Sequence, residues 1–550
     1  MSETTTKTAR SIEAPPSADG SETSTRNILL VYVGLMVAML LSALDQTIFS
    51  TALPTIVGEL HGVNAMLWVI TVYILASTIM LPIYGKLGDL IGRKGIFIAA
   101  IAVFVLGSII GGSAGDMTWL IIGRAVQGLG GGGLMVLAQA IIADVVSARD
   151  RGKYMGIMGG VFALSSVAGP LLGGWFTDGI GWRWGLWMNI PLGILAIASA
   201  VFFLHLPKTA KRTTSFDVAG MGLLALASTG LVLVSTWGGS TYDWDSPLIL
   251  SLIAGTVITG IAFVLVERTA TEPIIPLHLF KKLNFTLTTV AGLIIGVAMF
   301  GALAYLPTYL QMVTGANATQ SGFLMIPMMA TMLVSSVVSG WLVSKYGRYK
   351  WAPVSGTAVV AVGLFLLSTM TATMPVWAIC AYVAVLGLGL GLCMQMLVLI
   401  VQNTFPLAEV GTVTASNNYF RQIGASLGSA VVGSLFTVRL TSLMTERMPS
   451  GAAGLSTNAL TPDVVKHLPA AVRSIIVGAY NDALTPVFIY IVPLVLIALI
   501  LLCFLKEEPL RTTIDREPAP ESLATSGVSL VRGPADDAAS DRFERERRAR

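Results

Sequence analysis

Between residues 28 and 505 the chain alternates long apolar runs with short polar stretches. A helix rising about 1.5 Å per residue needs about 20 apolar residues to cross the hydrocarbon of a bilayer. On that criterion about fourteen spans are predicted, over 28–54, 65–84, 95–113, 118–143, 153–176, 184–206, 217–237, 246–267, 284–310, 321–343, 352–371, 375–402, 413–438 and 483–505. The ninth and twelfth are long and broken by glycines. The pattern predicts an all-α membrane protein.

Outside these runs the character changes. Residues 1–27 hold no apolar region and no cleavage site, so they are expected to form a disordered cytoplasmic tail and not a secretory signal. Residues 506–550 end in "RFERERRAR" and read as a second charged tail. Within the 439–482 connection, "TPDVVKHLPAAVRSIIVGAYNDAL" has helical periodicity behind a Thr461 N-cap and is expected to lie on the membrane surface.

Charge orients the spans. Lys86, Arg93, Lys94, Arg149, Arg151, Lys153, Lys208, Lys211, Arg212, Lys281, Lys282, Lys345, Arg348 and Lys350 fall in alternate loops. The intervening short loops carry Asp116, Asp178, Asp243 and Asp245, with Arg183 the exception. An even number of spans and the positive-inside rule place both termini in the cytoplasm, in a multi-pass protein of the cell membrane.

Composition agrees with this reading and excludes others. The chain is 54% hydrophobic and 12% charged, against roughly 25% charged in soluble proteins. A net charge of +4, dispersed along 550 residues, gives no nucleic-acid footprint. Cys380, Cys393 and Cys503 sit in apolar runs and read as small core residues. The four histidines are scattered near loops, no nucleophile or metal constellation is evident, and no G-x-x-x-x-G-K-[ST] loop is present. Neither an enzyme, an ATP-driven pump, a cofactor nor a metal is expected.

An internal repeat sets the domain plan. "GKLGDLIGRK" at 85–94 aligns without gaps to "GWLVSKYGRY" at 340–349, matching Gly85 with Gly340, Gly92 with Gly347 and Arg93 with Arg348. Both segments join the second and third helices of a six-helix set if the seventh and eighth spans are an insertion. The domains expected are a bundle over 28–206, a two-helix insertion with linkers over 207–283, and a second bundle over 284–505. Two similar halves around a central site is a common plan for secondary transporters.

Asp45, in "SALDQTIFSTALP", lies in the first span, where a charge costs at least about 2.5–3.5 kcal/mol at the bilayer centre. Ser42, Asp45, Gln46 and Ser50 form one helical stripe. Arg124 in the fourth span is the expected partner, since both lie roughly 10–14 Å from the external ends of antiparallel helices. Arg124, Gln127, Gly128, Gly131, Met135 and Gln139 form a second stripe. Hydrocarbon favours a neutral carboxyl and a guanidinium favours an ionised one, so the pair has the chemistry of a proton switch; a purely structural ion pair, or an aspartate close enough to the interface to be solvated, is the alternative. "GLGGGG" at 128–133 lies mid-span and points to close packing or local unwinding, not phosphate binding.

Other stretches are less decisive. In "GKLGDLIGRKG", Gly85 and Gly92 permit a tight turn, Asp89 can face a helix N-terminus, and Arg93 can meet carboxylates or lipid phosphates. A breakable latch between halves accounts for that spacing; a basic anchoring loop does not account for Asp89. Gly169, Pro170, Gly173 and Gly174 loosen the fifth span and admit a close neighbour. In "SNNYFRQIGASLG", Asn417, Asn418 and Arg421 share one face, and Arg421 has three open partners: the Asp89 turn, a substrate carboxylate or lipid headgroups. Phe300, Tyr305, Tyr309 and Tyr419 line a cavity, face lipid or pack in the core.

In this order and at these places, "LDQTIFSTALP", "GKLGDLIGRKG", "RAVQGLGGGG", "GPLLGG", "WRWGLWMNIPLG" and "PLHLFKK" together resemble the fourteen-helix drug:proton antiporters of the major facilitator superfamily. The resemblance covers nearly all of 28–505 and implies the major facilitator fold, two six-helix bundles plus two inserted helices, rocking about a central cavity. It implies proton coupling at Asp45 and Arg124, a conformational latch at Gly85, Asp89, Gly92 and Arg93, and an export motif at Gly169, Pro170, Gly173 and Gly174. Gln46, Gln127, Phe300, Tyr305, Asn417 and Arg421 are the candidate substrate cavity. One departure is the lack of further membrane acids in later spans, which counts against polyvalent cations as cargo. The function expected is proton-coupled export of amphiphilic compounds, with protons, the solute and membrane lipids as partners. Export of one native lipid, siderophore or metabolite, and a non-transporting scaffold or sensor, are the alternatives.

Overall fold

A computed structural model describes residues 25–60, 65–206, 216–239, 241–447, 465 and 468–512. Residues 1–24 and 513–550 of the two tails, Thr461, Lys208, Lys211 and Arg212 lie outside them. The start of the second tail, expected to be a charged extension, instead packs on the bundle, with Glu507 accepting from the Tyr349 amide at 2.8 Å and Leu510 buried. Fourteen segments are long and apolar enough to cross a membrane. The first six are α1 (Thr25–Glu59), α2 (Met66–Ile91), α3 (Arg93–Gly112), α4 (Met117–Val145), α5 (Ala148–Trp175) and the joined α6 (Trp184–Trp187) and α7 (Asn189–Phe203). Two follow alone, α8 (Val218–Trp237) and α9 (Pro247–Glu267). The second six are α10 (Leu283–Leu303) with α11 (Leu306–Thr314), α12 (Ala318–Leu324) with α13 (Ile326–Tyr346), α14 (Trp351–Ser368), α15 (Val376–Thr404), α16 (Val410–Arg447) and α17 (Ala470–Cys503).

Helix starts follow their capping chemistry. Asp116 accepts from the Trp119 amide at 2.9 Å, Asp217 from Gly220 at 2.7 Å, and Asn317 with Gln320 forms a capping box. The repeat appears as two matching breaks. Gly92, at φ 101°, separates α2 from α3, and Gly347, at φ 75°, ends α13. Both lie at the end of the bundle carrying Lys86, Arg93, Arg149 and Lys345, here called the basic end.

In the first half, α4 packs closely on α2 and α3 because its glycines leave no side chain in the way. A Cβ on Gly128 would lie 2.6 Å from the Tyr73 carbonyl, and one on Gly130 2.5 Å from the Ala100 carbonyl. The helix is continuous through this run, so packing and not unwinding is the physical role of the glycines. Gly130→Ala is therefore expected to destabilise the protein by about 1–3 kcal/mol. Gly95→Ala, which meets nothing within 4 Å, serves as the control. Thermal unfolding in detergent should show a lowered midpoint for the first and not for the second.

The second half is built the same way around α15. Gly387, Gly389 and Gly391 face α13 and α14, and a Cβ on Gly391 would lie 2.2 Å from the Met332 carbonyl. These glycines do not break the twelfth span, contrary to expectation; α15 runs unbroken over 29 residues. The ninth span does break, at Ala304–Tyr305, where Pro307 opens α11.

The last connection differs as well. Residues 470–482 do not form a separate surface helix. They are the first turns of α17, with Ile476 and Ala479 buried, and Arg447 at the end of α16 reaches Asp482 at 2.7 Å. Nothing between Ala470 and Leu484 interrupts helical bonding, and the helix carries Pro486 and Pro493 within it. Pro469 stands at its N-cap.

The inserted pair touches both halves. Trp237 stacks edge-on against Trp68 of α2 at 5.6 Å, while Ser228 bonds Tyr419 at 2.8 Å and Trp244 donates to Ser434 at 2.8 Å on α16. Beyond α9, Glu272 accepts from Lys86 at 2.6 Å.

Candidate functional site

Asp45 has no solvent exposure, and every bond given to its carboxylate comes from the first half. Oδ2 pairs with Arg124 Nη1. Oδ1 accepts from Gln127 Nε2 at 2.7 Å and from Asn189 Nδ2 at 3.1 Å. Ser108 Oγ accepts from the same two amides at 2.8 and 3.1 Å. Arg124 also donates to Gln127 Oε1 at 2.7 Å and to the Val69 carbonyl at 3.3 Å. Its guanidinium lies 4.1 Å from the Phe49 ring centre and 4.3 Å from that of Tyr73. Tyr73 in turn shares a bond of 3.1 Å with Ser42. Such a pair persists in hydrocarbon because charge, lone pairs and ring faces are matched together.

The network joins α1, α2, α3, α4 and α7. Asn189, Ser108 and Tyr73 were not foreseen. Single amide, hydroxyl and phenol groups in apolar runs look like ordinary packing, and the available signal was Asn189 at the start of its helix in "WMNIPLG". Gln46, expected on the Asp45 stripe, is exposed and reaches only the edge of this network, through Tyr73. The side chain of Ser50 lies outside the described residues.

At the basic end the end of α2 docks on the start of α16. Asp89 Oδ1 accepts from the Gly411 amide at 3.0 Å, and Oδ2 from the Thr412 amide and hydroxyl at 2.7 and 2.8 Å. A carboxylate on the first amides of a helix is favoured by both the free N–H groups and the helix dipole. Arg93 holds Asp89 at 2.8 Å, pairs with Asp144, and donates to the Leu407 carbonyl across the seam at 2.8 Å. Gly85 permits the approach, since a Cβ there would lie 2.6 Å from the Gly411 carbonyl. Gly92 supplies the left-handed turn that aims Arg93 back at Asp89.

The opposite flank carries a neutral counterpart. Ser344, aligned with Asp89 in the repeat, accepts from the Lys153 amide of α5 at 3.0 Å, and Arg149 donates to the Ser344 and Lys345 carbonyls at 3.2 and 3.1 Å. There α5 and α13 meet backbone to backbone: a Cβ on Gly340 would lie 2.2 Å from the Gly152 carbonyl. Between the flanks lies a polar floor. Gln139 of α4 accepts from Asn418 at 2.9 Å, and its carbonyl accepts from Gln402 at 3.2 Å. Gln402 also donates to Thr414 at 3.0 Å.

The remaining candidates are dispersed. Gly169 packs against Thr47 of α1, with a Cβ position 1.9 Å from its hydroxyl; Gly173 is buried and Gly174 has open space around it. The helix passes through Pro170 and ends beyond it in one π turn. Phe300 packs on the core of the second half, Tyr305 donates to the Ser429 carbonyl at 3.1 Å, and Asn417 to Thr289 at 3.3 Å. Tyr309 and Tyr419 are buried, bonded to Asn481 and Ser228 at 2.8 Å. Arg421 does not reach the Asp89 turn; it donates to Asn418 Oδ1. Among the described residues no cluster could hold a metal ion. On the opposite end Glu59, beyond the first span, accepts from Arg183 at 2.5 Å and Trp182 at 2.7 Å, and both hold its carboxyl below the usual range.

The Major Facilitator Superfamily profile matches residues 35–429. An uncharacterized MFS-type transporter of Mycobacterium tuberculosis is 40% identical over 491 residues, 89% of this chain and 71% of its own. The multidrug transporter protein MdtP of Bacillus subtilis is 37% identical over 480 residues, 83% of this chain and 88% of its own. The crystal structure of the human organic anion transporter MFSD10 superposes with a TM-score of 0.59 at 14% identity, covering 86% of this chain and 99% of that one, a likeness of fold. With its spans matched by the family profile and by relatives along most of their lengths, the chain belongs to the major facilitator superfamily of membrane transporters.

Proposed function

We propose that the protein is a proton-coupled antiporter that exports amphiphilic, drug-like compounds across the cytoplasmic membrane by alternating access. The observation that carries this reading is the carboxylate of Asp45, shut from solvent inside one half and bonded to Arg124, Gln127 and Asn189. Adding a proton there removes the charge that Arg124 faces, and the hydrogen-bond network around that pair joins five helices of one half. A protonation event is thereby converted into a change in the packing of a whole bundle. One relative, MdtP, is named a multidrug transporter, which supports a drug-like cargo.

In this reading the closed basic end faces the cytoplasm, both termini lie there, and the Asp89 docking holds the outward-facing state. Protons and the cargo are the exchanged partners, and membrane lipids the surroundings. Everted membrane vesicles energised acid-inside provide the test. A fluorescent amphiphile should accumulate while the lumen alkalinises, and a protonophore should abolish both. Accumulation indifferent to the protonophore would remove proton coupling from the proposal.

A further inference from the structure

Arg421 differs from Arg124 and Arg93 in its pairing, and from Arg151 and Arg439, which also have no ion pair among the described residues, in its depth. Arg151 lies in the first turn of α5 on the Ala143 and Val146 carbonyls, and Arg439 far along α16 beside the Tyr490 hydroxyl. Arg124 is matched by Asp45, and Arg93 by Asp89 and Asp144. Among the described residues no carboxylate lies within ion-pair reach of Arg421, and its guanidinium donates to a neutral amide oxygen, Asn418 Oδ1. It stands eleven residues into α16, about 17 Å along the helix from the basic end. That is about half the thickness of the hydrocarbon.

Its direction follows from its neighbours on the helix. Asn417 bonds α10, Tyr419 bonds α8, and Asn418, one turn below Arg421 on the same face, bonds Gln139 of α4. Arg421 thus looks inward, toward the first half, immediately above the polar floor. It does not look at lipid headgroups. The residue keeps partial exposure, unlike the fully enclosed Asp45 and Arg124. A guanidinium presents a planar fork of donors suited to carboxylate, sulfonate or phosphate oxygens.

Asp45 offers nothing to a cationic solute, being enclosed and already matched. We infer that Arg421 is the specificity-determining residue, selecting solutes with an oxyanion, so that the cargo class is anionic or zwitterionic amphiphiles and not lipophilic cations. This rests on the export reading above. It also connects the cargo to the seam. An oxyanion that draws Arg421 away from Asn418 disturbs the residue whose amide holds Gln139, hence the floor between the halves.

The test is equilibrium binding to purified full-length protein in neutral detergent, with no proton gradient. The probes are dansylaminoundecanoic acid and its methyl ester. The acid should bind wild type at least about tenfold more tightly than the ester. Arg421→Gln should bring the acid down to the ester's affinity, and Arg421→Lys, which keeps the charge but not the fork, should retain part of the preference. Retained ester binding shows that each variant is folded. Phosphatidylglycerol should displace the bound acid less effectively than free undecanoic acid does. Equal affinities in wild type, absence of saturable acid binding, an acid preference that survives Arg421→Gln, or equal displacement by the lipid would each overturn the assignment. Proton dependence is not read by this experiment. Failure of the vesicle test with the acid preference intact would therefore count against coupling, not against the site.

Discussion

Asp45→Asn is expected to abolish uphill efflux while leaving downhill exchange measurable. One proton carries roughly 2.3 kcal/mol per 100 mV and about 1.4 kcal/mol per pH unit, which together sustain a several-hundred-fold gradient of a neutral solute. Without a proton site that gradient should collapse to about one. Asparagine preserves shape and an acceptor for Gln127 and Asn189 but leaves Arg124 unmatched. Removing one partner of a buried pair costs about 3–5 kcal/mol. The comparison must therefore be made at equal abundance, with Asp45→Asn combined with Arg124→Gln as the charge-matched form. Efflux of a fluorescent amphiphile from energised vesicles is the measurement. Undiminished uphill efflux in Asp45→Asn would make Asp45 a structural partner of Arg124 and nothing more.

The second large effect is expected from Asp89→Ala. The substitution strips three hydrogen bonds from the start of α16 and removes one of the two carboxylates facing Arg93. If the loss approaches the 3–5 kcal/mol typical of breaking a buried pair, the ratio of closed to open basic ends should fall by about two to four orders of magnitude. Spin labels at the exposed positions Gly95 and Ala408, with Cys380, Cys393 and Cys503 replaced by serine, read the separation of the two halves there. A long-distance population should dominate in the variant. An unchanged distance distribution would show that the glycine-lined contacts of α5 and α13 suffice to hold that end shut.

Much of this architecture is written in the chain at the scale of whole helices. Twenty apolar residues announce a span whatever surrounds them, and the depth of Asp45 and Arg124 follows from counting residues along two antiparallel rods. What could not be read is what depends on rotation and on neighbours. Gln46 is one residue from Asp45, yet the 100° between them leaves one exposed at the edge of the network and encloses the other at its centre. Asn189 and Ser108 carry no charge to flag them. Their importance exists only because three distant helices converge on one carboxylate. The glycines of α4 and α15 were ambiguous for a related reason: a glycine signals that something comes close, and the sequence does not say whether a neighbour or a break. The start of α17 was misjudged because polar residues in its first turns, among them Arg473 and Asp482, hide a helix that runs well past the bilayer.

The unlike partners on the two flanks have a mechanical consequence. Along α5 and α13, backbone lies against backbone and a serine stands where the other flank has its aspartate, so little side-chain interlock resists sliding. This flank suits an axle. The α2 and α16 flank, with Asp89 and Arg93 at its tip and the α8 and α9 pair strapped across it, suits the swinging edge, where travel is longest and a catch has the most leverage. Substitutions along the axle should then change how fast the molecule swings, whereas those at the catch should change which way it rests.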